Sequence, residues 1–497
     1  MSPGKFSDGM PKVRGMRGAN PKLSRRQVLG IAAGGVAGAV GFRYLTMQLP
    51  GGSAAVASEA GTAGAWTSPL GTPGGLAAHL LRRATFGYTA AELDAAASMS
   101  YTDLVDMVVH QEPQPLPQVP DPTSYQAVVR AWYEHMATTA AQFPERMTLF
   151  WHGLLTSDYR KAARLPLVLQ QNELYRTSGR SDFRTLINAV TFDPLMIRYL
   201  DLEESTAAAP NENYSRELME LFTLGVGNYT ETDVREGARA FSGIRTDLVD
   251  SSGTRIRPPR VKGSTPAAYA QAVDQLIAQG ATFKGSLAAD EHDTGVKTFL
   301  GHTGDLDPSQ ALDIILSQPA CAPHIARNAL VQFCTPDPSP QLINSVATQF
   351  RSSNYDIKTL MRAVFTNEAF TTPSAFRSLV RGPAEFMVAT MRALNRPGLA
   401  ATCVRSGAGM DQILYDMPTV AGWPSNQGWV SSGAWLARLN FAAGAVAGQH
   451  SLPDPIDAVH THLDGVVGPD TAAVFNASIS DTDRWYALLA SPEFQLK

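Results

Sequence analysis

Cysteine is almost missing from this chain: three residues among 497, at Cys321, Cys334 and Cys403. An odd and small number excludes a disulfide framework. Cys321 and Cys334 are expected as buried free thiols, with pairing as the alternative. Charge is sparse too, 17% against 44% hydrophobic residues. That excludes a disordered chain and leaves material for a sizeable core. No sustained repeat is present, which excludes collagen, coiled coil and low-complexity fibre. Several catalytic signatures are absent: G-x-x-x-x-G-K-[ST], G-x-S-x-G, H-E-x-x-H and C-x-x-C. Their absence argues against P-loop NTPases, ordinary α/β-hydrolases, zincins and thioredoxins. Gly295-Val296-Lys297-Thr298 resembles only the tail of a P-loop, with Val296 between the glycine and the lysine.

What charge there is sits unevenly. The net charge is −4, yet residues 1–57 hold eight basic residues and one acid, for +7. The remainder carries 33 basic and 44 acidic residues, for −11. An acidic body has no electrostatic footprint for nucleic acid. Within the basic end, Ser24-Arg25-Arg26-Gln27-Val28-Leu29 resembles the bacterial twin-arginine export motif. A glycine-rich apolar stretch follows, from Val28 to Phe42. Ala55-Val56-Ala57 fits an A-x-A cleavage site. Arg43 ends the apolar run short of the ~20 residues a membrane span requires, and no other segment is long enough. The expected protein is therefore extracytoplasmic or secreted and meets the twin-arginine translocase in transit. It keeps no stable transmembrane span after cleavage. The resemblance further implies export in a folded state.

The expected organisation is a signal segment over 1–57, a linker over 58–75, a helical domain over 76–450 and a C-terminal extension over 451–497 packed on the same body. The fold class is mainly α, a large multi-helix body with a few short strands or irregular loops. Thr89-Ala90-Ala91-Glu92 has capping-box spacing. Pro194 is expected to break a helical region running from Ser181 to Tyr199, with Asp193 outside the first segment. Asn211 is placed to cap a helix from Glu212 to about Leu224, and Gly225 to close it in the left-handed region. Residues 246–268 look like a polar excursion. Thr282-Phe283 and Thr298-Phe299-Leu300 are candidate strands, and helices resume near Pro308.

The densest polar cluster lies on the Glu212 helix. In an α-helix Glu212, Arg216 and Glu220 share one face at i, i+4 and i+8, with Glu217 beside it. One reading is a solvated salt-bridge ladder. The other is a cleft in which the arginine keeps its carboxylates ionised, ready to bind a cation or act as a base. His152, after Phe150-Trp151, is either a hydrogen-bonded structural residue or a base. Glu291-His292-Asp293-Thr294-Gly295-Val296-Lys297 is either a metal or phosphate contact through His292, Asp293 and Lys297, or a turn held by aspartate bonds to its own backbone. His460 and His462 have metal-like spacing without an acidic partner and read as surface. Trp423, Trp429 and Trp435 either stack on sugar rings or pack the core.

Taken in order, His79 to Gly87, Phe150-Trp151-His152, Tyr199-Leu200-Asp201, Asn211 to Gly225 with Tyr229-Thr230 and Asp233, His292-Asp293, Ala421-Gly422-Trp423-Pro424 and Ala437 to Phe441 resemble the secreted bacterial family catalogued as domain of unknown function 1800. The resemblance covers roughly residues 75–448. It implies a mostly helical exported protein, often encoded beside a second exported protein that is a candidate partner. It assigns no activity. Relatives often carry histidine where this chain has Leu154 and Phe222, so a multi-histidine metal or haem site is not expected. The paired loss suggests that the two positions touch.

Two functional readings follow. One is a hydrolase acting on an envelope or extracellular substrate, with His152 or Glu217 as base, Glu212 and Arg216 in the same cleft, and Asn213 nearby. The cofactor is unspecified. A divalent cation held by Asp201, Glu217 and Glu220 is compatible with this reading. The other is a non-catalytic exported scaffold or partner protein whose polar helix is a structural ion-pair network.

Overall fold

A computed structural model describes residues 66–162, 164–258, 265–449 and 451–497. The twin-arginine motif, the cleavage site and most of the expected linker lie outside the described residues. The part of the linker that is described is already structured. Leu70 is buried, and a helix starts at Pro73. Pro73 suits a first turn, where its missing N–H costs nothing. The Thr72 side chain accepts from the Gly75 amide to cap it.

The molecule is mainly α. Its strands form two antiparallel pairs among the described residues. Many helix starts follow local rules. Thr89 and Glu92 form the expected capping box. Asp193 caps the Pro194–Tyr199 helix through the Met196 amide and separates it from Phe183–Thr191. The helix after the sheets begins at Pro308, capped by Asp307.

Two hydrophobic clusters organise these helices. The first gathers Phe183, Leu186, Ile187, Leu218, Phe222, Leu330 and Phe365 with their neighbours. The second gathers Trp132, Phe386, Met387, Phe441, Trp485 and Phe494 with theirs. The Gln142–Leu154 helix lies between them. Met147, Phe150 and Trp151 enter the first cluster and Leu149 enters the second. Every residue from Gln142 to His152 is buried. The chain end belongs to the second cluster: Val459, Phe475, Trp485, Leu489 and Phe494 all pack into it. Cys321, Cys334 and Cys403 are buried and free.

The polar stretch 246–268 departs from the expected excursion. Strand β1 (Ile244–Val249) pairs antiparallel with β2 (Thr282–Leu287), Ile244 opposite Leu287 and Val249 opposite Thr282. A helix, Pro266–Ala278, fills part of the connection. Alternation in Ile244-Arg245-Thr246-Asp247-Leu248-Val249 is imperfect, because both of its last two residues are buried. A period-two pattern therefore could not reveal it. Strand β3 is Lys297–Phe299 and β4 is His302–Gly304. Leu300, expected as strand, is instead the first residue of a two-residue turn. It has φ of 47° and Gly301 has φ of 84°, the signs that a type I′ hairpin needs. The Leu300 amide donates to Asp233 Oδ1 at 2.8 Å. Among the described residues, no helix is long and apolar enough to cross a membrane.

Candidate functional site

The polar helix begins one residue later than expected. Asn211 Oδ1 accepts the Asn213 amide at 2.9 Å, and the α-helix runs Asn213–Glu217. The backbone then widens into a π-helix over Leu218–Thr223. The Leu224 and Gly225 amides both donate to the Met219 carbonyl, at 2.9 and 3.0 Å. Thr223 Oγ1 donates to the Leu218 carbonyl, five residues back. Gly225 closes the segment with φ of 82°, as expected. A π turn holds more residues than an α turn and occurs often at functional sites.

This widening takes Glu220 out of the expected stripe and leaves its Glu212–Arg216 pair in place. Arg216 does not pair with Glu220. Its guanidinium bonds both oxygens of Glu231 at 2.8 Å each and Glu212 at 3.2 Å. Glu231, two-thirds exposed at 67%, makes this a surface triad. Thr230 and Asp233 form the capping box that holds the Glu231–Ala240 helix in place to supply it.

A second group forms on the other side of the π turn. The Tyr229 hydroxyl donates to Glu220 Oε2. Burial, then that hydrogen bond, pushes the Tyr229 hydroxyl up to about 12. Glu217 is half-buried. Burial raises its pKa first, and the neighbouring Glu220 charge raises it further against the pull of Arg216. Tyr199 also titrates high, through burial and then the Asp158 and Glu217 charges, while a hydrogen bond to Thr156 opposes them. Its phenol therefore lies in the field of Glu217. Below it, Asp201, at φ of 59°, accepts from Lys161 Nζ at 2.7 Å and from Asn213 Nδ2 at 3.1 Å. Lys161 also donates to the Tyr199 carbonyl at 2.7 Å.

Asp201 and Asn213 thus meet directly, as do Glu212 and Arg216. Glu217 stands beside Glu220. The cation site expected on Asp201, Glu217 and Glu220 does not assemble. Asp201 is turned to an ammonium and Glu220 to a phenol. Among the described residues, no three His, Cys, Asp or Glu side chains gather where they would hold a metal ion.

His152 lies apart from this group. It is 2% exposed and walled by the rings of Trp132, Tyr175, Tyr415 and Trp423. Its Nε2 accepts the Tyr415 amide at 3.1 Å. Burial alone drives its pKa down to about 3, so it is neutral and already hydrogen-bonded. In place of an open general base, His152 stands as a buried structural acceptor among four rings. Phe222 is buried in the first cluster, and the half-buried Leu154 packs against it. Apolar side chains at these two positions are what that environment favours.

The His292 loop also resolves into structure. His292 Nδ1 lies 3.0 Å from the Ser242 carbonyl. Asp293 Oδ1 accepts the Gly295 amide at 2.8 Å, and its carboxylate pairs with Arg239 at 2.7 Å. Lys297 is fully buried and spends its ammonium on the Gly295 carbonyl and Asp305. Of the two readings of this loop, the aspartate-held turn is the one the geometry matches. Trp429 and Trp435 are core residues, whereas the half-buried Trp423 covers Gly153.

Sequence reasoning missed Tyr199, Tyr229 and Lys161 as members of the polar group. Tyr199 and Tyr229 already stood in the motifs Tyr199-Leu200-Asp201 and Tyr229-Thr230. Lys161 carried no signal, since its role depends on the short Tyr159–Ala162 helix docking near Asp201.

Compared with known proteins, residues 79–496 match a family model described as "Protein of unknown function (DUF1800)". No curated protein matches, and no solved structure matches. The matched region runs beyond the roughly 448 at which the motifs end and takes in the C-terminal helices.

Proposed function

The chain belongs to the family described as protein of unknown function DUF1800, and on that premise we propose that it is an exported hydrolase whose acid–base group is Glu217. The observation that carries this reading is the half-buried Glu217–Glu220 pair at the junction of the α-helix and the π turn, with Tyr199 and Tyr229 facing it. Two neighbouring carboxylates in unlike surroundings are the usual way to obtain a proton donor and an ionised partner at one pH. Here Glu220 is hydrogen-bonded by a phenol, while Glu217 has no such donor among the described residues and is driven towards its protonated form. A protonated Glu217 donates to a leaving group and, once ionised, takes a proton from water. Tyr199 supplies a neutral hydroxyl to orient the substrate. The twin-arginine motif supports delivery of the folded enzyme outside the cytoplasm.

The test is a screen of chromogenic esters, glycosides and phosphodiesters with the purified protein, followed by the Glu217→Gln variant. The expected result is turnover of one substrate class, reduced by about 100-fold or more in the variant, with the acid limb of the pH–rate profile displaced. Gln fits the same space and removes a like-charge contact, so the variant is expected to melt no lower than the parent. Absence of turnover, or unchanged turnover in the variant, overturns the reading.

One observation favours the alternative of a non-catalytic exported scaffold: Arg216, the expected anion holder, is fully engaged by Glu212 and Glu231. On that reading the second exported protein, implied by the family resemblance, would bind this face. Co-purification of the two, lost on Glu231→Arg, would support it.

A further inference from the structure

A cavity of about 550 Å³ opens among β1, β2, the helices Pro194–Tyr199 and Pro266–Ala278, the segment 255–258 and Arg164, which precedes the Leu165–Ser178 helix. Its wall is unusually rich in guanidinium: Arg164, Arg198, Arg255 and Arg257 all reach it, against the single carboxylate of Asp247. Two of the four are spoken for. Arg164 pairs with Asp274 at 2.6 Å and Arg255 with Asp247 at 2.7 Å.

The other two are not. The one carboxylate within ion-pair range of Arg198 among the described residues is Glu203, at 3.9 Å, too far to hydrogen-bond. The Arg198 side chain is 26% exposed, and its Nε is buried with no partner. It lies on the Phe283 ring, 5.1 Å from the centroid, and Arg164 lies 5.8 Å from the same ring. Burial lowers the Arg198 pKa, and the distant Glu203 does not make up the difference. Arg257 is exposed and has no ion pair among the described residues. On the same lining the Thr246 hydroxyl is buried and, among the described residues, also unpartnered.

A buried donor left unmade is costly, and two such donors on one wall call for an acceptor. A guanidinium fork matches carboxylate and phosphate oxygens in two-point geometry. The volume exceeds what a bare oxyanion fills and falls within the ~300–1,000 Å³ of small-molecule sites. Tyr269 and Val273 line the cavity and leave room for an organic body.

We propose that this cavity binds a small organic anion through a phosphate or carboxylate group, held by Arg198 and Arg257 with the Thr246 hydroxyl as a further donor. The site is separate from Glu217 and does not depend on the hydrolase reading.

The experiment is isothermal titration calorimetry of the full chain at low salt with phenyl phosphate and, separately, with phthalate. Saturable binding of at least one probe is expected, with Kd below about 1 mM. Binding of phenyl phosphate alone assigns a phosphate ligand, and binding of phthalate alone assigns a carboxylate. Arg198→Gln is expected to raise Kd about tenfold and the exposed Arg257→Gln about threefold. Should Arg198→Gln fail to fold, as judged by circular dichroism, the surface variant Arg257→Gln decides alone. No saturable heat with either probe overturns the proposal, as does unchanged affinity in every folded variant. The titration requires no turnover, so its failure leaves the assignment of Glu217 untouched.

Discussion

Asp193 shows how much a single buried residue can carry. It caps the Pro194–Tyr199 helix, with Oδ2 accepting the Met196 amide at 2.9 Å and the Gln171 amide at 2.7 Å. Its Oδ1 is buried without a partner. Burial pushes its pKa up to about 7, although these hydrogen bonds resist the shift. The folded form therefore holds its proton far above the value near 4 expected of an unfolded aspartate. Its contribution to stability is complete below about pH 4 and is lost as the pH rises through 7. Asp193→Asn is neutral throughout. The variant is expected to gain on the parent in melting temperature as the pH goes from 4 to 7, read by differential scanning fluorimetry. A constant difference across that range would contradict this account. His152 gives the same lesson without a charge. Its residue type was legible in Phe150-Trp151-His152, but its neutrality was not, because that depends on rings contributed by Trp132, Tyr415 and Trp423.

At the scale of the element, the π turn after Glu217 decides which side chains meet. Helical spacing placed Glu220 on the Arg216 face. The extra residue in the turn carries Glu220 to Tyr229 and leaves Arg216 to Glu231. No local pattern in Leu218-Met219-Glu220-Leu221-Phe222-Thr223 announces a π-helix. The closing glycine was legible, and it makes the segment testable. A Cβ on Gly225, at φ of 82°, would lie 2.9 Å from His324 Nδ1, whose Nε2 is already hydrogen-bonded to the Leu221 carbonyl. Gly225→Ala is expected to cost about 1–2 kcal/mol in urea unfolding, from backbone strain plus displacement of His324. Loss of any activity in this variant, out of proportion to its stability, would tie the turn to the Glu217 group.

Across the whole molecule, a buried ionic cluster fastens the chain end to the central helix. Glu385 Oε1 accepts from Lys497 Nζ at 2.7 Å and pairs with Arg146 at 2.5 Å, and Oε2 accepts the Gly382 amide. Burial alone would raise its pKa, but Arg146 and Lys497 hold it down to about 2. Its share of stability is present above about pH 4.5 and falls away as the pH drops towards 2. Burial holds Lys497 down to about 7, so Glu385→Gln lets Lys497 lose its proton and strands the buried Arg146 guanidinium; it is expected to cost about 3–5 kcal/mol in urea unfolding at pH 6. A loss below about 1 kcal/mol would mean that Arg146 and Lys497 find other partners. By itself the sequence determined the helical class, the Thr89 capping box and the return of helix at Pro308, because each rests on neighbours within a few residues, and it determined the family through short motifs spread along the chain. Tertiary structure alone decided that β1 pairs with β2, that His152 is sealed, and that Glu220 turns to Tyr229. Those outcomes depend on groups 9 to 263 positions apart in the chain, whose meeting is set by packing and leaves no local trace.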